Sequence, residues 1–305
     1  MRYVVTGAAG FIGSQLLRTL LESGHDVVGW DAFTDYYDPA LKAENVRGLP
    51  VERVDLVEDA LELRDVDGVF HLAGQPGVRS FGGVFPLYVR QNVLASQRLF
   101  EAAAAAGART VFASSSSIYG DAAAYPTSED TPPRPISPYG ITKLACEHLA
   151  YAYGREFGLD AVVLRYFNAF GPRQRPDMAF ARMVSCLAAG LPFELYGDGT
   201  QSRSFTYVDD VVAGTVFAMQ KAPAGAVYNL GGGVEVSMLE AIDTLGRVAG
   251  RRLEVNRSPR LEGDVSRTAA DTTRIRSETG WEATTSFADG LEAQWRWAAD
   301  RVAAA

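Results

Sequence analysis

Cysteine, histidine and an excess of positive charge are what this 305-residue chain has least of. The two cysteines, Cys146 and Cys186, both fall in sequence with a helical period. Neither has partners at a metal-binding spacing, so no metal is expected and a reducing cytoplasm is the simplest home. The three histidines, His25, His71 and His148, also lack metal-like partners and read as structural. Lys and Arg total 29 against 37 Asp and Glu, a formal net charge of -8. That balance excludes a protein that coats nucleic acid or an anionic membrane, so an anionic ligand must be held by local cations. No apolar run approaches the roughly 20 residues needed to cross a bilayer. The start, MRYVVTGAAGFIG, lacks the charged-then-apolar pattern of a signal peptide. No tandem repeat is present.

What the chain does have is the 47% apolar and 22% charged composition of a soluble globular protein. Its length suggests a main domain with a smaller appendage. Through the first half, apolar β-rich runs (RYVVT, HDVVGWD, GVFHLA, RTVFASS, DAVVLRYF) alternate with helical periods at 11–23, 88–106 and 139–157. Strands apolar on both faces and separated by helices predict a parallel sheet covered on both sides, a doubly wound α/β fold. After about Gly171 the elements shorten, with helices expected near 180–189, 209–220, 237–249 and 287–303, and Asp209 and Asp210 placed to cap the second of these. VYNLG, at 227–231, reads as one more buried strand. The expected division is therefore residues 1–170, with returning segments near 204–230, as the sheet domain, and 171–305 as mainly a smaller mixed α/β domain.

Gly7, Gly10 and Gly13 follow the first strand and open a helix, a spacing that lets backbone approach a pyrophosphate seated on the helix N-terminus. Phe11 and Ile12 lie between the last two of them. The next strand ends at Asp31, where a carboxylate accepts from a ribose diol and repels a 2′-phosphate, favouring NAD over NADP. Asp55 and Leu56, then Leu72, Ala73 and Gly74, fall where later strands present their carboxyl edge to the same dinucleotide.

Tyr139 and Lys143, four apart, share one face of a helix, and Ser114 to Ser117 close the strand before it. A phenol ordinarily ionises near pH 10, but a neighbouring ammonium and a positive nicotinamide both favour the phenolate. Such a tyrosine is a usable base.

GAAGFIG, the strand-end Asp31, SSSSIYG, YGITK and RYFN together resemble the extended short-chain dehydrogenase/reductases of the Rossmann type, specifically the nucleotide-sugar epimerases and dehydratases. The resemblance implies that Ser115, three positions before the Ile-Tyr-Gly triplet, bonds the sugar hydroxyl being oxidised, that Tyr139 is the base, and that Lys143 binds the nicotinamide ribose. It further implies a 4-keto sugar that turns over in the site and a homodimer built through the helices at 88–106 and 139–157. Dehydratases of the family carry an Asp-Glu pair, and uronate decarboxylases usually a glutamate, where this chain has Ser116 and Ser117, so simple epimerisation is implied. Asn168 and Arg203 match nucleotide-binding positions, and Arg260, whose spacing from Gly263 and Asp264 differs from the galactose-type pattern, is a second arginine candidate. DAFTDYYDPALK, QPGVRS and GPRQRPDMAF resemble the UDP-glucuronate 4-epimerases, with Arg175 and then Arg79 as partners of the sugar carboxylate. Asn168 stands where those enzymes often carry threonine, which keeps a UDP-glucose 4-epimerase, or one of dual specificity, as the alternative; a non-catalytic dinucleotide sensor is the remoter one.

Overall fold

The computed structural model describes residues 1–77, 82–259 and 267–303. The first half runs β1 (Arg2–Thr6), α1 (Phe11–Glu22), β2 (Asp26–Asp31), α2 (Pro39–Asn45), β3 (Val51–Arg53) and β4 (Gly68–His71). It continues through α3 (Phe85–Tyr88), a π-helical segment over Val89–Leu94, α4 (Ala95–Ala106), β5 (Arg109–Ser115), α5 (Pro138–Phe157) and β6 (Ala161–Tyr166). The second half comprises β7 (Asn168–Phe170), α6 (Ala179–Ala189), β8 (Phe193–Tyr196), β9 (Ser202–Tyr207), α7 (Val208–Lys221), β10 (Val227–Leu230) and β11 (Glu235–Ser237). Then follow α8 (Met238–Ala249), β12 (Val255–Ser258), β13 (Arg267–Thr268), α9 (Thr273–Thr279) and α10 (Phe287–Ala303).

Seven parallel strands in the order β10-β6-β5-β4-β1-β2-β3 form the main sheet. The order reverses beside β1, where a doubly wound sheet opens a crevice at its carboxyl edge. Strands β4 and β5 are buried almost throughout because helices cover both faces. One core packs α1 and α7 on the sheet through Leu16, Leu17, Val211 and Tyr228. The other packs α4 and α5 through Leu99, Phe100, Phe112 and Cys146.

A smaller sheet centres on β9, antiparallel to β11 and parallel to β7 and β13, and a separate pair joins β8 to β12. A third core, rich in phenylalanine (Phe170, Phe180, Phe205, Phe287), binds α6, α8 and α10 to it. Of segment 204–230, α7 and β10 lie on the main sheet, while β9 belongs to the smaller one. Among the described residues no helix is long and apolar enough to cross a membrane.

The capping expectation at Asp209 and Asp210 fails. Tyr207 is the N-cap of α7 with no side-chain bond, and both aspartates sit inside the first turn. Asp210 instead accepts from the backbone N–H groups of Thr284 and Thr285, at 3.2 and 3.0 Å. A tertiary contact has taken the carboxylate that a local one was expected to use. His71 is structural: its ring nitrogens lie 2.8 Å from the hydroxyls of Thr6 and Ser96. Burial, then the charge of Lys143, lower its pKa to about 3, so it is neutral.

Candidate active site

The β1–α1 turn is built for close backbone approach. A Cβ on Gly7, whose φ is +69°, would lie 2.8 Å from the Ala73 nitrogen, and one on Gly13 would lie 2.2 Å from the Gly7 carbonyl oxygen. Gly10 is the N-cap of α1 and has no side chain to cap it, so the first N–H groups of that helix face outward unclaimed by a side chain. This cradle fits a pyrophosphate. At the end of β2, Asp31 accepts from the N–H of Ala9 at 2.9 Å and of Phe33 at 2.8 Å. Those two bonds fix the carboxylate and leave lone pairs for a ribose diol.

A cleft of about 340 Å³ runs from this turn along the carboxyl edge of the sheet. Gly7, Gly10, Phe11, Ile12, Gly13, Asp31, Leu56, Leu72, Ala73 and Gly74 line it, as do Ser115, Ser116, Ser117, Tyr139, Lys143, Asn168 and Arg175. Asp55 does not: it accepts from the Val57 N–H and lines an adjoining recess with Thr34 and Gln91.

Ser115 ends β5, and its Oγ accepts from the Ser117 N–H at 3.1 Å, which leaves the hydroxyl proton to donate. Helix α5 opens on Ser137, whose side chain accepts from the Gly140 N–H, and on Pro138. A Cβ on Gly140 would lie 2.4 Å from the Ser117 carbonyl oxygen, so glycine beside Tyr139 lets the helix abut the serine turn. Lys143, buried, donates from Nζ to the Ala113 carbonyl at 2.8 Å and stands 5.8 Å from the centre of the Tyr139 ring. A hydroxyl donor, a phenol and an ammonium thus open on the cleft that carries the glycine turn. The family described as NAD dependent epimerase/dehydratase matches residues 3–231.

The chain belongs to this family. It is 34% identical over 315 residues to the UDP-glucuronate 4-epimerase of Thermodesulfobacterium geofontis (strain OPF15), covering 98% of this chain and 97% of that one. A Bacillus subtilis (strain 168) protein described as the uncharacterized UDP-glucose epimerase YtcB is 40% identical over 303 residues, covering 95% and 96%. Among solved structures, the UDP-glucuronic acid 4-epimerase of Bacillus cereus in complex with UDP-glucuronic acid and NAD superposes with a TM-score of 0.94. It is 39% identical and covers 99% of this chain and 100% of that one.

Within this epimerase/dehydratase fold, the remaining sequence candidates sit as follows. Asn168 donates to the Thr268 hydroxyl at 2.8 Å, and Thr268 pairs with Arg203 across the smaller sheet, so Asn168 and Arg203 meet through one residue. Arg203 donates to the Ser202 carbonyl and does not line the cleft. Arg175 lines the cleft but is paired side-on with Asp177, its Nε and one terminal nitrogen each 3.0 Å from a carboxylate oxygen. Burial opposes the charge on Arg175, but the hydrogen bonds and charge of Asp177, with the Tyr36 and Tyr139 phenols, hold its pKa above the ordinary arginine value. Arg79 and Arg260 lie outside the described residues. Among the described residues no His, Cys, Asp and Glu cluster suits a metal.

Several lining or supporting residues carry no short-range signal. Asn92, in the π-helical segment, accepts from the Gln75 N–H at 2.6 Å and donates to the Thr142 hydroxyl at 2.9 Å, tying the loop after β4 to the residue beside Lys143. Lys42 is buried with its ammonium on the Thr34 carbonyl and hydroxyl. Beside it, burial and then the charge of Asp31 push the Tyr37 phenol up to about 12. From the cleft lining, Ser114 donates to Glu147 at 2.5 Å, and Glu147 receives the Arg165 guanidinium at 2.8 Å.

Proposed function

We propose that this enzyme interconverts UDP-glucuronate and UDP-galacturonate at C4, with NAD as its bound cofactor. The observation that carries the reading is the opening of Ser115, Tyr139 and Lys143 on one cleft with the glycine turn, and with Arg175 on its wall. The β1–α1 turn and Asp31 would hold NAD, which would supply the acceptor and donor of the C4 hydride. Tyr139 takes the proton of the sugar 4-hydroxyl at its phenolic oxygen and gives it back to the same oxygen after the 4-keto sugar has turned over. Ser115, its own oxygen already occupied by the Ser117 N–H, donates to that sugar oxygen. Lys143, fixed by the Ala113 carbonyl, sets its ammonium 5.8 Å from the centre of the Tyr139 ring.

Ser116 and Ser117 supply no acid or base for removing water, which supports epimerisation over elimination. A 4-keto uronate is a β-keto acid and loses carbon dioxide when its carboxylate is free to align. Arg175 holding that carboxylate serves recognition and protects the intermediate at once. Incubation with UDP-glucuronate and NAD is expected to give UDP-galacturonate, read by chromatography beside a parallel UDP-glucose reaction. Faster turnover of UDP-glucose would instead support the neutral-sugar reading that Asn168 favours. NAD binding with no epimer from either sugar would support the sensor reading.

The assembly we propose is a homodimer. The helical stretch 85–106 packs on α5, and the pair leaves Leu87, Leu94, Ile141 and Tyr151 exposed at 43%, 42%, 41% and 65%. Large apolar side chains left to solvent on this helix pair support a second copy as the cover of that face. Sedimentation equilibrium should return twice the 32.9 kDa chain mass, and a monomer mass at micromolar concentration would remove the dimer.

A further inference from the structure

The loop between β7 and α6 carries Arg175 and Asp177 on one turn, closed by the Met178 N–H donating to the Arg175 carbonyl at 3.1 Å. Gln174 pins that turn to the core: its amide donates to the Ala169 carbonyl and accepts from the Ala181 N–H and the Gln294 side chain. Asp177 takes the Nε edge of the guanidinium, using one hydrogen on Nε and one on a terminal nitrogen. Among the described residues no other hydrogen bond reaches that guanidinium, so the edge formed by its two terminal nitrogens is not engaged by a hydrogen bond, and the residue lines the cleft. The Tyr36 hydroxyl donates to Asp177 at 3.3 Å, and the Tyr36 ring lies 5.9 Å from the Arg175 guanidinium carbon. Arg175 is thereby held along one edge by Asp177 and on one face by Tyr36.

We infer that Asp177, steadied by the Tyr36 hydroxyl, is a specificity-determining positioning residue: it fixes the Arg175 guanidinium so that its free edge meets a sugar carboxylate in bidentate fashion. This rests on Arg175 being the carboxylate partner of the proposed function. A competing effect runs the other way, since the charge of Asp177 repels an incoming carboxylate. Orientation outweighs it because the Asp177 charge is already matched by the Arg175 guanidinium at 3.0 Å, so an incoming carboxylate meets an ion pair rather than a lone anion. The loss of order in a free arginine has no such offset.

The test uses the NAD-loaded enzyme carrying Tyr139→Phe, so that no turnover disturbs calorimetric titration with UDP-glucuronate and with UDP-glucose. Adding Asp177→Ala is expected to weaken UDP-glucuronate by about tenfold while UDP-glucose stays within about twofold, as loss of preorganisation at a carboxylate-only contact requires. Asp177→Asn, which keeps the volume, and Tyr36→Phe, which keeps the ring, should shift the same ratio in the same direction and by less. Loss of both ligands equally, or tighter UDP-glucuronate binding by Asp177→Ala, overturns the inference. Arg175→Ala separates the two levels: if it leaves the ratio of the two affinities unchanged, the carboxylate role of Arg175 fails as well. If it lowers the ratio and Asp177→Ala does not, only the positioning role fails.

Discussion

Tyr139→Phe is expected to lower kcat for epimerisation by about a thousandfold, with UDP-sugar affinity changed no more than a few-fold, the loss typical of removing a positioned acid-base group. The substitution removes one oxygen and keeps the ring. Its site tolerates that removal structurally, because the helix start is fixed by Ser137 and Pro138 and the close approach to the serine turn is made by Gly140. Lys143 keeps its bond to the Ala113 carbonyl, so the ammonium stays where it is. A thermal melt should therefore superpose on the unsubstituted protein, and calorimetry with UDP-glucuronate should give a near-normal Kd. Turnover within tenfold of the parent would mean that another group takes the proton, and the serine, tyrosine and lysine would need new roles.

The parts of this architecture that depend on neighbours in sequence are legible in the sequence alone. The glycine turn, the strand-end Asp31, and the Tyr139 and Lys143 spacing are each written within a few residues, and the cleft gathers them together. Strands β4, β5 and β6 announce themselves as continuous apolar runs because both their faces are covered. The smaller sheet is different. Its strands span two to six residues, and their partners lie tens of residues away, as when β7 at Asn168–Phe170 pairs with β9 at Ser202–Tyr207. Segments that short carry too little alternation to tell a strand from a loop. The π-helical segment that turns Asn92 onto Gln75 and Thr142 has no compositional mark either. Asp210 illustrates the same limit in reverse: the local pattern pointed to a cap, and a segment 74 residues on claimed the carboxylate.

The deepest feature hidden from the sequence is the pair Glu147 and Arg165, and its removal carries the largest stability effect expected. Their side chains are 8% and 9% exposed, and the guanidinium also donates to the Tyr119 hydroxyl at 2.8 Å and to the Glu129 carbonyl at 3.0 Å. The Tyr119 hydroxyl in turn donates to Asn229 on β10, so one network joins α5, β5, β6 and β10 and reaches the cleft at Ser114. Removing one member strands the other charge out of water. Arg165→Met is expected to destabilise by about 3–5 kcal/mol, the usual cost of breaking a buried pair. Glu147→Leu combined with Arg165→Met removes both charges and should recover most of that loss, because desolvating two ions nearly cancels their attraction. Urea unfolding followed by circular dichroism reads both: the midpoint falls sharply for the single substitution and returns toward the parent for the double. A single substitution costing under about 1 kcal/mol would place the pair in the class of solvated surface bridges, against its burial. A double variant no more stable than the single would show instead that the Tyr119, Ser114 and Asn229 hydrogen bonds, rather than the stranded charge, hold these elements together.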